Sequence, residues 1–341
     1  MKAPLRLMGA PGSPYTRKMA ALLRYRRIPY ALLWGGHQNP PENLPSPKVK
    51  LLPTFYFPDD AGEVEAVVDS TPIARRLEAL YEGRSVFPDP PALGFLNALI
   101  EDYADEWLTK AMFHYRWHHK ADRDNAGPLL VYWSMPLLVA DKAQNVSIMI
   151  TQRQFDRLYV VGSNEVTAET IEQSYVRFLS IFDELIAKRG YVMGARPASA
   201  DFAIYGQLTQ LGVIEPTSAA ITQRFPRVRA WIDRVEDLSG LEPLAAEWAT
   251  LAEAAIALAP LLHEIGHVYA PFLLANAEAV ATRREVFETV IDGRAWRQPT
   301  FPYQAKCLGW LRDAYLRLSA GDRVEIDRIL KGSGCEVVAK A

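Results

Sequence analysis

The stretch LRLMGAPGSPYTRKMAALLRYRRIPY, residues 5–30, decides how the rest of this chain is read. Its apolar opening, Leu5 to Met8, is a short strand candidate that stops at Gly9. Ser13 then precedes Pro14, and proline suits the first turn of a helix because the N–H it lacks would be unpaired there anyway. From Tyr15 to Tyr25 the residues Met19, Leu22 and Leu23 recur on one helical face, and Tyr30–Trp34 is a second strand. Ser13 therefore sits at the start of a helix, where its hydroxyl has two possible uses. It can be a plain N-cap, contributing about 1 kcal/mol. It can also aim a donor, together with the positive end of the helix dipole, at a bound anion.

Working outward, an irregular proline-rich stretch, GGHQNPPENLPSPK, is followed by strand candidates at Thr54–Phe57 and Ala66–Val68, with a turn at Asp59–Gly62 between them. DSTPIARRLEALY, opening on Asp69 and Ser70, reads as a helix. The order βαβ, irregular connection, ββα is that of a small α/β unit. EGRSVFPDPPALG reads as a linker, and beyond it the chain turns helical: 95–117, 168–190 ended by Gly190, 199–214, and 225–238 with Pro226 in its first turn. The last hundred residues read as a long helical segment over 245–279, a hairpin around Asp292-Gly293 and two short helices. The expected division is residues 1–82, a linker at 83–93, a helical domain over 94–240 and a mostly helical extension over 241–341.

The 341 residues carry 49% hydrophobic and 23% charged side chains with a net charge of −2, which suits a chain with a real core. No block of like charge marks a nucleic-acid or polybasic membrane surface, and no run approaches the roughly 18 apolar residues of a spanning helix. Only Cys307 and Cys335 are present, too few for a disulfide framework, so a reducing, cytoplasmic setting is expected.

The local sequences narrow the function. The opening stretch is similar to the start of a cytosolic glutathione transferase: a strand, an active-site loop with a Ser-Pro-aromatic tripeptide, then a basic first helix. LLPTFYF resembles the cis-proline strand of the thioredoxin-like fold, with Pro53 as that proline. DSTPIARRLEALY resembles the acidic-Ser pair that receives the γ-glutamyl end of glutathione, RPASADFAIYGQL the buried helix start of the second domain, and FPRVRAWIDRV its later helix. The resemblance, over roughly residues 4 to 240, implies a thioredoxin-like N-terminal domain followed by an all-α domain. It also implies detoxifying conjugation of glutathione, as co-substrate, to a small electrophile in a homodimer.

The same resemblance assigns roles that the physics supports. Ser13 would stabilise the thiolate, since a thiol of pKa about 8.5 needs a donor at its sulfur to ionise at neutral pH. Asp69 would hold the ammonium, and Ser70, at a helix start, the carboxylate. Leu52, exposed by Pro53, would pair with the peptide backbone. Arg17 and Lys50 are further ligand-side candidates, and Tyr15, His114 and His118 candidates for a second-substrate pocket. Two positions depart from the pattern. Leu51 stands where a Lys or Gln is usual, leaving Lys50, Lys48, Trp34 or His37 to meet the glycine carboxylate. Ala198 stands where Ser or Thr would complete a capping box with Asp201.

A rival reading is a non-catalytic binding or scaffold protein on the same fold, motivated by Leu51 and the enlarged tail. A more distant one comes from HEIGH, residues 263–267, whose His263 and His267 at i and i+4 suit zinc, with Glu264 as base. The plainer reading of HEIGH is two histidines flanking a glutamate, and no metal is assigned. Likewise His114 and His118 are commonly satisfied polar groups, and Tyr103, Trp107, Phe113 and Trp117 commonly core.

Overall fold

The computed structural model describes residues 4–37, 41, 43–59 and 61–339. Gln38–Pro40 and Glu42 of the irregular stretch, and Asp60 of the turn before the fourth strand, lie outside them. β1 (Leu5–Gly9) is central: it pairs in parallel with β2 (Tyr30–Trp34) and antiparallel with β3 (Thr54–Pro58), which pairs antiparallel with β4 (Val64–Val67). The sheet order is β2-β1-β3-β4, and β4 begins two residues earlier than its apolar run suggests. α1 (Pro14–Tyr25) crosses between β1 and β2, and α2 (Ser70–Leu80) closes the unit. Leu5 and Leu7 of β1, Leu22 and Leu23 of α1 and Phe55 of β3 are buried in one core.

The helical region opens with α3 (Pro91–Tyr103), a π turn (Ala104–Leu108) and α4 (Thr109–His118), where the sequence reads as a single helix. The extra residue in a π turn rotates the next helical segment about its axis, and such turns recur at functional sites. α5 (Lys120–Ser134) and α6 (Ala140–Phe155), which the sequence pattern does not single out, come next, then α7 (Ala168–Arg189), stopped by Gly190 at φ 85°. α8 (Ser199–Thr209), α9 (Pro216–Thr222) and α10 (Pro226–Glu236) complete the region. Buried Asp201 accepts from the Ala198 N–H at 2.9 Å and from the Val192 N–H at 2.9 Å, so the half of the capping box that needs no serine is formed. α8 lies hard against α1: a Cβ on Gly206 would come within 2.4 Å of the Pro14 carbonyl oxygen.

The remaining elements are α11 (Leu251–Glu264), a π turn (Ile265–Tyr269), α12 (Ala270–Ala281), the hairpin β5 (Val286–Ile291) and β6 (Arg294–Pro299), α13 (Pro302–Leu316), α14 (Ala320–Leu330) and α15 (Glu336–Ala339). Asp292 and Gly293, at φ 53° and 69°, make the hairpin turn expected of that pair. Contrary to the sequence reading, the 31-residue run Leu251–Ala281 is long and apolar enough by length and composition to cross a membrane. Its alanines raise the hydropathy, while Leu258, Leu262, Ile265, Tyr269 and Phe272 are buried in the protein's own core.

Candidate active site

The β1–α1 loop is held by its carbonyls. The Pro11 carbonyl accepts from Arg17 Nε at 3.1 Å and Gln210 Nε2 at 3.1 Å, and the Gly12 carbonyl from Arg116 at 2.8 Å. Gly12 is also where the Trp133 ring presses in, 2.7 Å from where a Cβ would stand. Ser13 emerges from this loop as the N-cap of α1, its oxygen accepting from the Thr16 N–H at 3.2 Å. Its hydroxyl also donates to the Leu52 carbonyl at 3.3 Å, a long bond, and the peptide between Leu52 and Pro53 is cis. The capping use of Ser13 is thus formed, while its hydroxyl proton is engaged by the Leu52 carbonyl. The Leu52 N–H makes no hydrogen bond among the described residues, and the Leu51 carbonyl is taken by Thr54 and His37.

Asp69 caps α2 at φ 84°, a region uncommon for a residue with a Cβ and frequent at functional sites. Burial raises its carboxyl pKa, against the opposing effects of Tyr303 and Lys18. The Tyr303 hydroxyl, from α13, donates to Asp69 Oδ2 at 2.9 Å. Ser70 is buried, and its Oγ receives Lys18 Nζ at 3.3 Å. Lys18 is itself sealed, 2.8 Å from Glu101 and 2.6 Å from Asp105. Burial works against its charge, but the two carboxylates outweigh burial and hold its pKa above the ordinary lysine value. One cation cannot neutralise Glu101, Asp105 and Asp69 together, and burial pushes Asp105 up to about 6.

Of the predicted residues, Ser13 meets Leu52 directly, next to Pro53, while Lys18 links α1 to Ser70 and Thr71 at the start of α2. Lys18 and Tyr303 are not among the residues the sequence points to. Arg17 spends its donors on Pro11 and, at 3.7 Å, on Glu236. Lys50 is exposed beside half-exposed Leu51, with no partner among the described residues. The Tyr15 hydroxyl donates inward to the Asp105 carbonyl at 2.7 Å. His114 lies two residues before Arg116, so the two leave α4 on roughly opposite sides, and it is Arg116 that reaches the Ser13 loop. His114 contacts Ser163 and Glu172, with His118 stacked on its ring at 4.5 Å. Two open grooves, of about 260 and 230 Å³, lie along α7 against α11 and α10, and neither includes Ser13, Leu52 or Asp69.

The HEIGH pattern is not assembled as a metal site. Glu264 is gripped by Arg177 at 2.8 and 3.0 Å, and His267 meets Asp292 at 2.7 Å. The π turn that starts at Ile265 breaks the α-helical spacing on which the pattern depends. Gly266 has its own reason: a Cβ there would collide with the Ser333 carbonyl oxygen at 2.0 Å.

With this geometry in view, residues 7–85 match the glutathione S-transferase N-terminal domain family and residues 164–234 the glutathione S-transferase C-terminal domain family. No curated protein matches the chain. Among solved structures, it is similar to a glutathione S-transferase from Methylobacterium radiotolerans in complex with glutathione sulfonate: 19% identity, 73% of this chain and 97% of that one, TM-score 0.43. A glutathione transferase family member from Pseudomonas fluorescens with two glutathione bound gives 16% identity, 72% and 93% coverage and a TM-score of 0.44. A GST-like protein from Pseudomonas syringae gives 17% identity and a TM-score of 0.41, the likeness covering 68% of this chain and 66% of that one.

Proposed function

The chain is a member of the glutathione S-transferase superfamily, and on that premise we propose that it delivers the thiolate of glutathione to a small electrophile. The observation that carries this reading is the Ser13 hydroxyl on the Leu52 carbonyl, beside the cis peptide and over the first turn of α1. Binding is an exchange. The cysteine N–H of the peptide takes the Leu52 carbonyl, and the free Leu52 N–H donates to the cysteine carbonyl, as in the addition of one strand to a sheet edge. The Ser13 proton, released from a long bond, turns to the sulfur. The thiol proton passes to solvent, the sulfur lone pair forms a bond to the electrophilic carbon, and the leaving group departs with its electron pair.

Asp69, shared with Tyr303, takes the γ-glutamyl ammonium, and the first amides of α2 at Ser70 and Thr71 take the carboxylate. Lys50 lies two residues before Leu52, free to meet the glycine carboxylate. The division at residues 82, 93 and 240 and a homodimer belong to the same proposal. Light scattering tests the dimer.

Calorimetric titration with glutathione, on the parent and on Asp69→Ala, tests the peptide site. Micromolar to low-millimolar binding that Asp69→Ala abolishes is expected. Ser13→Ala should keep binding but raise the pKa of the bound thiol, read from thiolate absorbance against pH. No binding at several millimolar overturns the proposal in favour of a non-catalytic protein on the same fold. The Tyr303 hydroxyl already seated on Asp69 is the observation that favours that second reading.

A further inference from the structure

Away from the Ser13 loop, two imidazoles and a carboxylate converge where α4 ends against the start of α7. His119, between α4 and α5, has an extended backbone (φ −82°, ψ 139°) that turns its ring back beside His114. His114 Nε2 lies 3.1 Å from Glu172 Oε1, and His119 Nε2 lies 2.9 Å from that same oxygen. One ligand atom from each of the three residues falls within 4.8 Å of the others. The second nitrogen of His114 is spoken for: Nδ1 is 2.8 Å from the Oγ of buried Ser163.

We infer that His114, His119 and Glu172 form a binding site for a divalent transition-metal ion of the zinc type, with its fourth position open to water. Two imidazoles and one carboxylate are the donor set of three-ligand zinc sites. Without a cation the His114 ring can carry its proton on Nε2 and donate it to Glu172; a bound cation selects the tautomer in which Ser163 accepts from Nδ1–H and the Nε2 lone pair faces the ion. Ser163 is then the outer partner that fixes tautomer and ring plane, a recurrent feature of metal-bound histidine. With metal–ligand bonds of about 2.0–2.2 Å, donors in a tetrahedral site stand roughly 3.3–3.5 Å apart. The observed 2.9 and 3.1 Å fall a few tenths of an ångström short of that, and the three ligand atoms lie within 4.8 Å of one another, so Glu172 moves outward as the two imidazoles close on the ion. His114 is sealed, but the side chains of His119 and Glu172 are 31% and 36% exposed, so the ion has a way in and the fourth position faces solvent. His118, stacked on His114, walls that side of the site.

The test uses the full chain, stripped with a chelator and titrated with Zn(II) by calorimetry and with Co(II) by visible absorption. The expected result is one ion per chain, with the d–d bands of a four-coordinate cobalt ion. His119→Ala and Glu172→Gln alter partly exposed residues. Each should weaken binding by more than about 100-fold, because losing even an outer partner costs about 10- to 100-fold. Ser163→Ala should fall within that smaller range, and His267→Ala should change nothing. Circular dichroism checks that each variant is folded. Absence of stoichiometric binding at micromolar metal, or binding that folded His119→Ala and Glu172→Gln leave unchanged, overturns the inference.

Discussion

Two lysines are sealed among the described residues, and their surroundings treat the charge in opposite ways. Lys18, between α1 and the π turn at Ala104–Leu108, has Glu101 and Asp105 within 2.8 Å and holds its proton more tightly than a free lysine. Lys110, on α4, faces C-terminal elements: its Nζ lies 3.3 Å from Gln298 Oε1 and 3.9 Å from the centre of the Phe272 ring. Burial lowers its pKa to about 7, with Glu106 opposing only in part. On the same helical wall, burial raises Asp102 to about 7 and Glu106 to about 8. Their partners are neutral donors, the Tyr269 hydroxyl at 2.6 Å and Gln304 Nε2 at 2.9 Å. One junction is built on compensated charge and the other on suppressed charge. The side chains alone do not decide which, since all are ordinarily ionised; the number of opposite charges within reach does.

The sharpest way to break this contrast is Lys18→Met. It leaves Glu101 and Asp105 buried without a cation, and a loss of about 3–5 kcal/mol in urea unfolding is expected. Leu262→Ala, in the core beneath the C-terminal elements, should cost about 2–5 kcal/mol. A single transition would show that those elements unfold with the rest; two transitions would separate the junctions. Tyr303→Phe removes a donor from a partly buried carboxylate and should cost about 1–2 kcal/mol. Lys110→Met should be neutral within about 1 kcal/mol or stabilising, because no full charge is lost from its site. A cost near that of Lys18→Met would refute the contrast.

Acidity acts at both junctions, but over different ranges: Asp105, raised by burial to about 6, loses its contribution at lower pH than the carboxyls facing the C-terminal elements. Asp102 and Glu106 bind protons more tightly folded than unfolded. Their contribution is therefore complete below about pH 4 and is lost as pH rises towards 7 and 8. Lys110 works the other way: its penalty eases as pH climbs from about 7 towards the lysine value. The thermal midpoint should fall between pH 5 and 8, and Glu106→Gln should flatten part of that fall.

The same contrast explains how much can be read in the sequence. The cap at Ser13, the turn before α1, the proline after Leu52 and the Asp-Gly hairpin depend on neighbours within a few residues, and each leaves a local signature. Glu106 and Lys110, one helical turn apart, look like an ordinary solvated stripe. Their burial depends on Gln304 and Gln298, 198 and 188 positions further on, and no periodicity carries that information. Tyr303 lies 234 residues from Asp69 and leaves no local signal for the same reason. His114 stands out in the sequence for its spacing with His118, but its polar partners are Ser163 and Glu172, which only the packing of α4 on α7 brings near.

The contact between Tyr303 and Asp69 also imposes a reciprocity. Any cation that takes Asp69 must share it with the Tyr303 hydroxyl or displace it, so occupancy at the start of α2 and the seating of α13 are linked equilibria. By whatever factor loosening α13 alters affinity at Asp69, a ligand at Asp69 must alter the docking of α13 by the same factor. Hydrogen exchange in α13, followed during a titration, would read that coupling from the far side.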